Sequence, residues 1–379
     1  MIYRESCGEK ISLLGMGNMR LPTVDGGNGP IDTAPAEKII DLLYENGVNY
    51  FDTAYMYHGG QSEIFIGNAL KKYPRDSFFL ATKMPSGPLS QGRSPEELFE
   101  EQLSKCQVDH FDFYLLHNLN EGSYDVFTNK EKGVIPYLLE QKKRGRIRHL
   151  GFSCHAKPET LQRFLDTYDC FEFVQIQLNY FDWEFQNAKL QYEIIRKHGL
   201  PVWVMEPCRG GRLASLSDEA NQVLKDADPH RSIASWAFRY LFGLEGVHVI
   251  LSGMTKLEQA QDNLKTFSQG CPLTPMEQSA LDKALELFKS QHIIPCTACH
   301  YCDGCPMELD IPELLSIYNR YRLSPGPMIW MSLERMKHLP EACISCGACV
   351  EKCPQNIPVP DHMAAFAAEL SKLPKPQHP

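Results

Sequence analysis

The sequence has no apolar run approaching 18 residues, so nothing in it reads as a membrane-crossing helix. Its first residues, Met1 to Ser6, carry no apolar core of the kind a signal peptide needs, and the expected location is the cytoplasm. There is no excess of basic charge either. Lys plus Arg number 38 against 47 for Asp plus Glu, and a net charge of −9 argues against a nucleic-acid partner. No biased or repetitive tract is present, which excludes disorder, collagen and coiled coil as the main architecture. What remains is an ordinary globular composition, 43% hydrophobic and 22% charged, over 379 residues, a length that suggests two domains.

The cysteines divide the chain. Six stand alone before residue 290 (Cys7, Cys106, Cys154, Cys170, Cys208, Cys271), while eight fall between Cys296 and Cys353. The isolated six read as small buried apolar residues. The clustered eight call for metal or redox chemistry, since disulfides do not persist in a reducing compartment. The expected division is 1–290 and 291–379.

In the first part, short apolar runs alternate with segments of helical period. The runs are Leu13 to Gly17, Asn49 to Ala54, Phe78 to Met84, Asp112 to His117, His149 to Cys154, Phe173 to Asn179, Pro201 to Pro207 and Gly246 to Gly253. Helices are expected between them, among them Pro95 to Cys106, where Ser94, Pro95 and Glu97 make an N-terminal cap. Eight strand-helix pairs in about 250 residues fit a closed (β/α)8 barrel. An open doubly wound sheet is the alternative, but Gly15-Met-Gly-Asn-Met-Arg20 lacks the third glycine of a dinucleotide turn.

Barrel chemistry gathers at the carboxyl ends of strands. There the sequence puts Asp52, Lys83 and His117, with Tyr57 five residues beyond Asp52. These types make a mechanism together. A lysine beside a phenol favours the phenolate, an aspartate fixes the lysine, and the tyrosine then serves as a general acid toward a carbonyl oxygen, with the histidine orienting the substrate.

Phe51-Asp-Thr-Ala-Tyr-Met-Tyr57, followed by Ser62-Glu63 and Gly67, resembles the strand-two signature of the aldo/keto reductase superfamily. Ala81-Thr-Lys83, Leu115-Leu-His117, Gly151-Phe-Ser153, Val174-Gln-Ile-Gln177 and Ser252-Gly-Met-Thr-Lys256 continue the likeness through Asn263. The resemblance implies that Asp52, Tyr57, Lys83 and His117 form a catalytic tetrad. It implies that Ser153 and Gln175 hold a nicotinamide amide, and that Thr255, Lys256, Gln259 and Asn263 grip the adenosine phosphate of NADPH, which Lys256 favours over NADH. Where relatives stack an aromatic residue on the nicotinamide, this chain has Met205, polarizable but of different shape. Arg209 and Arg212, in the Gly-rich stretch that follows, are expected either to bind phosphate or an anionic substrate or to lie in a solvated loop. His58, His155 and Glu206 lie near strand ends as lesser candidates for substrate contact.

The tail reads Cys296-Thr-Ala-Cys299-His-Tyr-Cys302-Asp-Gly-Cys305-Pro and returns with Cys343-Ile-Ser-Cys346-Gly-Ala-Cys349-Val-Glu-Lys-Cys353-Pro. The second is the bacterial ferredoxin run, whose fourth cysteine ligates the other cluster. Two [4Fe-4S] clusters are expected, one on Cys296, Cys299, Cys302 and Cys353, the other on Cys343, Cys346, Cys349 and Cys305. The first run is one residue short before Cys305, which leaves that crossover open, and zinc held by four thiolates is the alternative metal. Helices are expected over 311–321, 330–336 and 361–373, making a mainly helical ferredoxin-like module with a frayed end at 373–379. The whole chain resembles bacterial aldo/keto reductases that carry such a domain.

Clusters move single electrons, whereas a barrel of this kind moves a hydride. The expected activity is NADPH-dependent interconversion of a small carbonyl and an alcohol. Two alternatives stay open. In one, the barrel holds a flavin or another two-electron carrier and the clusters exchange electrons with a ferredoxin or partner enzyme. In the other, the protein is an electron-transfer or docking module whose barrel has lost turnover.

Overall fold

The structure is a computed structural model and describes residues 1–24, 29–289, 294–323 and 329–373. Two compact units emerge, one formed by residues 1–208 and 230–278, the other by 209–229 and 279–373. The second takes in two stretches that precede the cysteine-rich region in sequence.

The first unit opens with a hairpin that the apolar pattern does not announce. Strands β1 (Tyr3–Ser6) and β2 (Glu9–Ser12) pair antiparallel across Cys7 and Gly8, both at positive φ (53° and 80°). That is the backbone a two-residue hairpin turn demands. Eight parallel strands follow: β3 (Leu14–Gly17), β4 (Tyr50–Asp52), β5 (Phe79–Pro85), β6 (Phe111–Leu119), β7 (Ile147–Cys154), β8 (Phe173–Gln177), β9 (Val202–Met205) and β10 (Val247–Ser252). They close in chain order, β10 pairing with β3, into the expected barrel.

Because side chains alternate along a strand, each one faces inward at every second residue. Tyr50, Ala81, Phe113, Phe173, Trp203 and Val249 fill the interior nearer the amino ends, and Ile11 of the hairpin packs into the same cluster. Counting two residues on gives Asp52, Lys83, Leu115, Gln175, Met205 and Leu251, and in β6 two more gives His117. The opposite parity (Phe51, Leu80, Tyr114, Phe152, Val174, Val204, Ile250) packs in the layer shared with the surrounding helices. The same alternation that builds the core thus raises polar residues into the barrel mouth.

The helix Pro95–Cys106 begins as expected, with Glu97 N donating to Ser94 Oγ and Ser94 N to Glu97 Oε2, both at 3.1 Å. Gln102 of this helix reaches inward to the strands, which matters below.

The second unit has its own core. Helices Ile311–Leu323, Ile329–Leu333 and Val359–Leu370 bury Leu314, Leu315, Met363 and Phe366, with Tyr318 stacked on Phe366 at 4.5 Å. Helix Asp218–Ala227, capped by Ser217 accepting from Ala220 N, also belongs here. The fraying expected beyond residue 373 lies outside the described residues. No helix among the described residues is long and apolar enough to cross a membrane.

Candidate active site and cysteine cavities

At the barrel mouth, Lys83 is fully buried, and its ammonium donates to Asp52 Oδ1 at 2.5 Å and to the Thr53 carbonyl at 2.7 Å. It lies 5.1 Å from the centre of the Tyr57 ring. His117 meets that ring edge-on, centroids 5.8 Å apart at 87°. Three strands and the turn after β4 therefore bring Asp52, Tyr57, Lys83 and His117 into one group. Burial pushes the Lys83 ammonium down and the Asp52 carboxyl up, and their mutual contact opposes both shifts. Burial, then the charge on Lys83, holds the His117 imidazole well below its ordinary pKa, so it is neutral at physiological pH.

Behind Lys83 lies a polar network that sequence reasoning missed. Glu63 is fully buried; its Oε1 accepts from Thr82 Oγ1 and from Gln102 Nε2, each at 2.6 Å. Gln102 Nε2 also donates to the Lys83 carbonyl at 2.9 Å, and Tyr114 donates to Gln102 Oε1 at 2.5 Å. Burial raises the Glu63 carboxyl above its ordinary range. The only signal available was the Ser62-Glu63 pair of the motif. Its partners are 19 and 39 residues away and could not be named from spacing.

Opposite, Ser153 and Gln175 pair in register on β7 and β8. Ser153 Oγ donates to the Leu116 carbonyl at 3.2 Å, and Gln175 Oε1 is buried without a hydrogen-bond partner among the described residues. An acceptor left bare in a dry site costs about 1–3 kcal/mol, and an amide N–H donor would relieve it. Met205 ends β9, half-buried and in register with Gln177. Thr255 and Lys256 are exposed at the start of helix Leu257–Gln269, where Gln259 Oε1 accepts from both backbone amides (2.8 and 3.1 Å). Asn263 is buried and donates to Ser252 Oγ at 2.9 Å.

Two of the lesser candidates have partners within the chain, and the third is set by burial. Glu206 pairs with Arg20 at 3.2 Å. His58 Nε2 accepts from Leu21 N at 3.3 Å. Burial drives His155 down to about 4. Of the two expectations for Arg209, the solvated loop does not hold, since the side chain is 1% exposed and donates to the Pro295 carbonyl (2.5 Å) and to Gln355 Oε1 (2.8 Å). Arg212 donates through Nε to the Cys296 carbonyl. These long-range acceptors explain why Arg209 is buried.

In the second unit the eight cysteines ring two neighbouring cavities, one somewhat larger than the other. Cys305, Cys343 and Cys346 line only the larger; Cys296, Cys299 and Cys353 line only the smaller; Cys302 and Cys349 border both. The thiols surround space rather than converge on one point, and among the described residues no group meets the geometry of a single-ion site. A soft, all-thiolate donor set around a cavity fits an iron-sulfur core. Positive-φ residues (Ala298, His300, Gly304, Ser345, Gly347) bend the ligand loops, and Ala298 N donates to Cys296 Sγ at 3.4 Å. Such amide-to-sulfur bonds are among the ways a protein tunes a cluster.

Comparison with known proteins agrees with this anatomy. Residues 13–286 match the aldo/keto reductase family and residues 295–357 a 4Fe-4S dicluster domain. The chain belongs to the aldo/keto reductase family, whose members are NAD(P)H-dependent oxidoreductases, and carries a C-terminal 4Fe-4S domain. It is 26% identical to the NADH-specific methylglyoxal reductase of Escherichia coli over 68% of this chain and 90% of that one. L-galactose dehydrogenase of Arabidopsis thaliana is 24% identical over 69% and 86%. An aldo-keto reductase from Bacillus halodurans, in its holo form, superposes with a TM-score of 0.61 at 25% identity, covering 75% of this chain and 96% of that one. An aldo-keto reductase from Klebsiella pneumoniae in complex with NADPH shares the fold, with a TM-score of 0.61 at 19% identity over 76% and 96%.

Proposed function

We propose that the barrel interconverts a small carbonyl compound and its alcohol with NADPH, and that Tyr57 is the general acid and base. The observation that carries this reading is the group made by Lys83, Asp52, Tyr57 and His117. A cation fixed by Asp52 and the Thr53 carbonyl stands beside a phenol ring whose other neighbour is a neutral imidazole.

When bound, the nicotinamide supplies the hydride that the carbonyl carbon accepts. The chain's own part is to manage the proton and the geometry. Tyr57 releases its hydroxyl proton to the carbonyl oxygen, and the Lys83 ammonium stabilises the phenolate left behind. Asp52 keeps Lys83 charged in a dry site. His117, neutral, offers a hydrogen bond to the same oxygen without competing as an acid. Ser153 and the bare Gln175 Oε1 are suited to a carboxamide, and Thr255, Lys256, Gln259 and Asn263 to an adenosine phosphate at the start of a 13-residue helix. The relative from Klebsiella pneumoniae solved with NADPH supports the choice of cofactor.

For the tail we propose two [4Fe-4S] clusters with crossed ligands, Cys353 joining Cys296, Cys299 and Cys302, and Cys305 joining Cys343, Cys346 and Cys349. The sorting of the cysteines between the two cavities supports this despite the shortened first run. The module's suitability for single-electron traffic keeps a second reading in view, in which a flavin in the barrel converts between electron pairs and single electrons exchanged with a partner protein. Anaerobic purification with an inventory of iron, sulfide, flavin and nicotinamide tests both. Eight irons and no flavin support the first reading, and stoichiometric flavin replaces it with the second.

A further inference from the structure

Arg209 and Arg212 are built into the cysteine-rich unit in a one-sided way. Arg209 donates to Pro295, the residue before Cys296, and to Gln355, two residues after Cys353. One guanidinium thus ties together two of the chain segments that line the smaller cavity, those of Cys296 and of Cys353. Arg212 donates to the carbonyl of Cys296 itself at 2.5 Å. Between them Gly210, at φ +64°, lies so close to the ligand run that a Cβ there would stand 2.4 Å from the Thr297 carbonyl oxygen. The stretch 209–212 is therefore seated directly on the first cysteine run. Neither arginine lines the smaller cavity itself: buried Arg209 and half-buried Arg212 stand behind its wall, bonded to Gln355 and to the Cys296 carbonyl, whereas among the described residues the one lysine or arginine at the larger cavity is the exposed Lys352.

Guanidinium groups remain protonated in proteins. A charge buried in a low-dielectric interior acts strongly over a few ångströms, whereas an exposed lysine is screened by water and salt. Adding one electron to a cluster and its four thiolates makes the whole more negative by one charge, with no bond broken and no proton required. Nearby fixed positive charge favours that more negative state, and net charge is one of the levers that set cluster potentials.

We infer that Arg209 and Arg212 set the two clusters apart in potential, making the one held by Cys296, Cys299, Cys302 and Cys353 the first to accept an electron. This rests on the two-cluster reading above. It assigns the stretch 209–212, which follows the seventh barrel strand in sequence, to tuning the electron carrier rather than binding nucleotide phosphate.

The test is a dithionite titration of the iron-loaded full-length protein followed by paramagnetic resonance, with iron counted in the same sample. Two one-electron waves are expected. Arg212→Gln lowers the equilibrium constant of the higher wave about tenfold, which is about 59 mV for one electron, and moves the lower wave less than threefold. Arg212→Lys, which keeps the charge, retains most of the original midpoint. An arginine that merely holds the fold would reduce iron content without moving the midpoint of the cluster that remains. Should Arg212→Gln lose iron, the arginines are left intact and the clusters removed in turn. The Cys343→Ser/Cys346→Ser protein must then keep the higher wave and the Cys296→Ser/Cys299→Ser protein the lower; the reverse order overturns the inference. An unmoved higher wave at eight irons per chain overturns the inference alone, whereas fewer than eight irons in the unmodified protein overturns the two-cluster reading beneath it.

Discussion

The Lys83 ammonium and the Asp52 carboxylate, on neighbouring strands at the barrel's carboxyl end, are 2.5 Å apart and almost wholly shut off from solvent. Two charges there are tolerable only together. Each alone would be driven toward its neutral form, and the positive charge beside the Tyr57 ring would be lost.

Breaking that pair is therefore costly for the fold as well as for activity. Asp52→Asn or Lys83→Met alone is expected to destabilise the protein by about 3–5 kcal/mol, as for other buried pairs that lose one partner. The double variant should cost less than the sum of the singles. Denaturant unfolding of the four proteins measures the difference.

Tyr57→Phe removes one oxygen and little else. Turnover with a panel of small aldehydes is expected to fall about 10²–10⁴-fold, the range for loss of a positioned general acid. Quenching or enhancement of NADPH fluorescence on binding should be retained. Unchanged turnover would remove Tyr57 from the reaction.

The pH dependence of stability should carry a histidine signature. Burial lowers His155 from 6.5 to about 4, so the unfolded chain takes up this proton first as pH falls. The contribution of His155 is complete above about pH 6.5 and declines as the pH falls toward 4, by about 3 kcal/mol over the window. His117 shifts in the same direction. His155→Gln should flatten the stability profile between pH 4 and 6.5 in chemical denaturation. A slope equal to that of the unmodified protein would refute this assignment.

Crossed ligation predicts which cysteine losses are equivalent. Cys305→Ser and Cys346→Ser should each lower iron from eight to about four per chain, and combining them should remove no more. Cys305→Ser combined with Cys299→Ser should remove nearly all. If instead Cys305 and Cys299 behave as one group, each run holds its own cluster.

Much of this was legible because strand alternation and strand ends carry their own marks. Asp52, Lys83 and His117 each lie at or near the carboxyl end of an apolar run, and their inward parity follows from the interior residues Tyr50, Ala81 and Phe113 two or four positions earlier. The tail's cysteine gaps name their chemistry locally. The hairpin over Tyr3–Ser12 was not legible, since of its residues Ile11 joins the barrel interior with Cys7 packed against it, and its turn is Cys7-Gly8 rather than a commoner turn pair. The partners of Glu63 and Arg209 were not legible, and for one reason. What gives each its role is a partner far along the chain: Thr82 and Gln102 for one, Pro295 and Gln355 for the other. A charged side chain in a Gly-rich stretch looks the same in sequence whether it awaits a ligand or is already committed to a carbonyl.

The most direct test of the central claim follows the hydride itself. A single turnover is run with NADPH carrying deuterium at the transferred C4 position, a small aldehyde and the iron-loaded protein, and the alcohol is analysed by mass spectrometry and deuterium resonance. Direct transfer in the Tyr57 and Lys83 site predicts one deuterium on the carbinol carbon. An alcohol formed at the same rate with only solvent hydrogen there would mean that the reducing equivalents left the nicotinamide by another route.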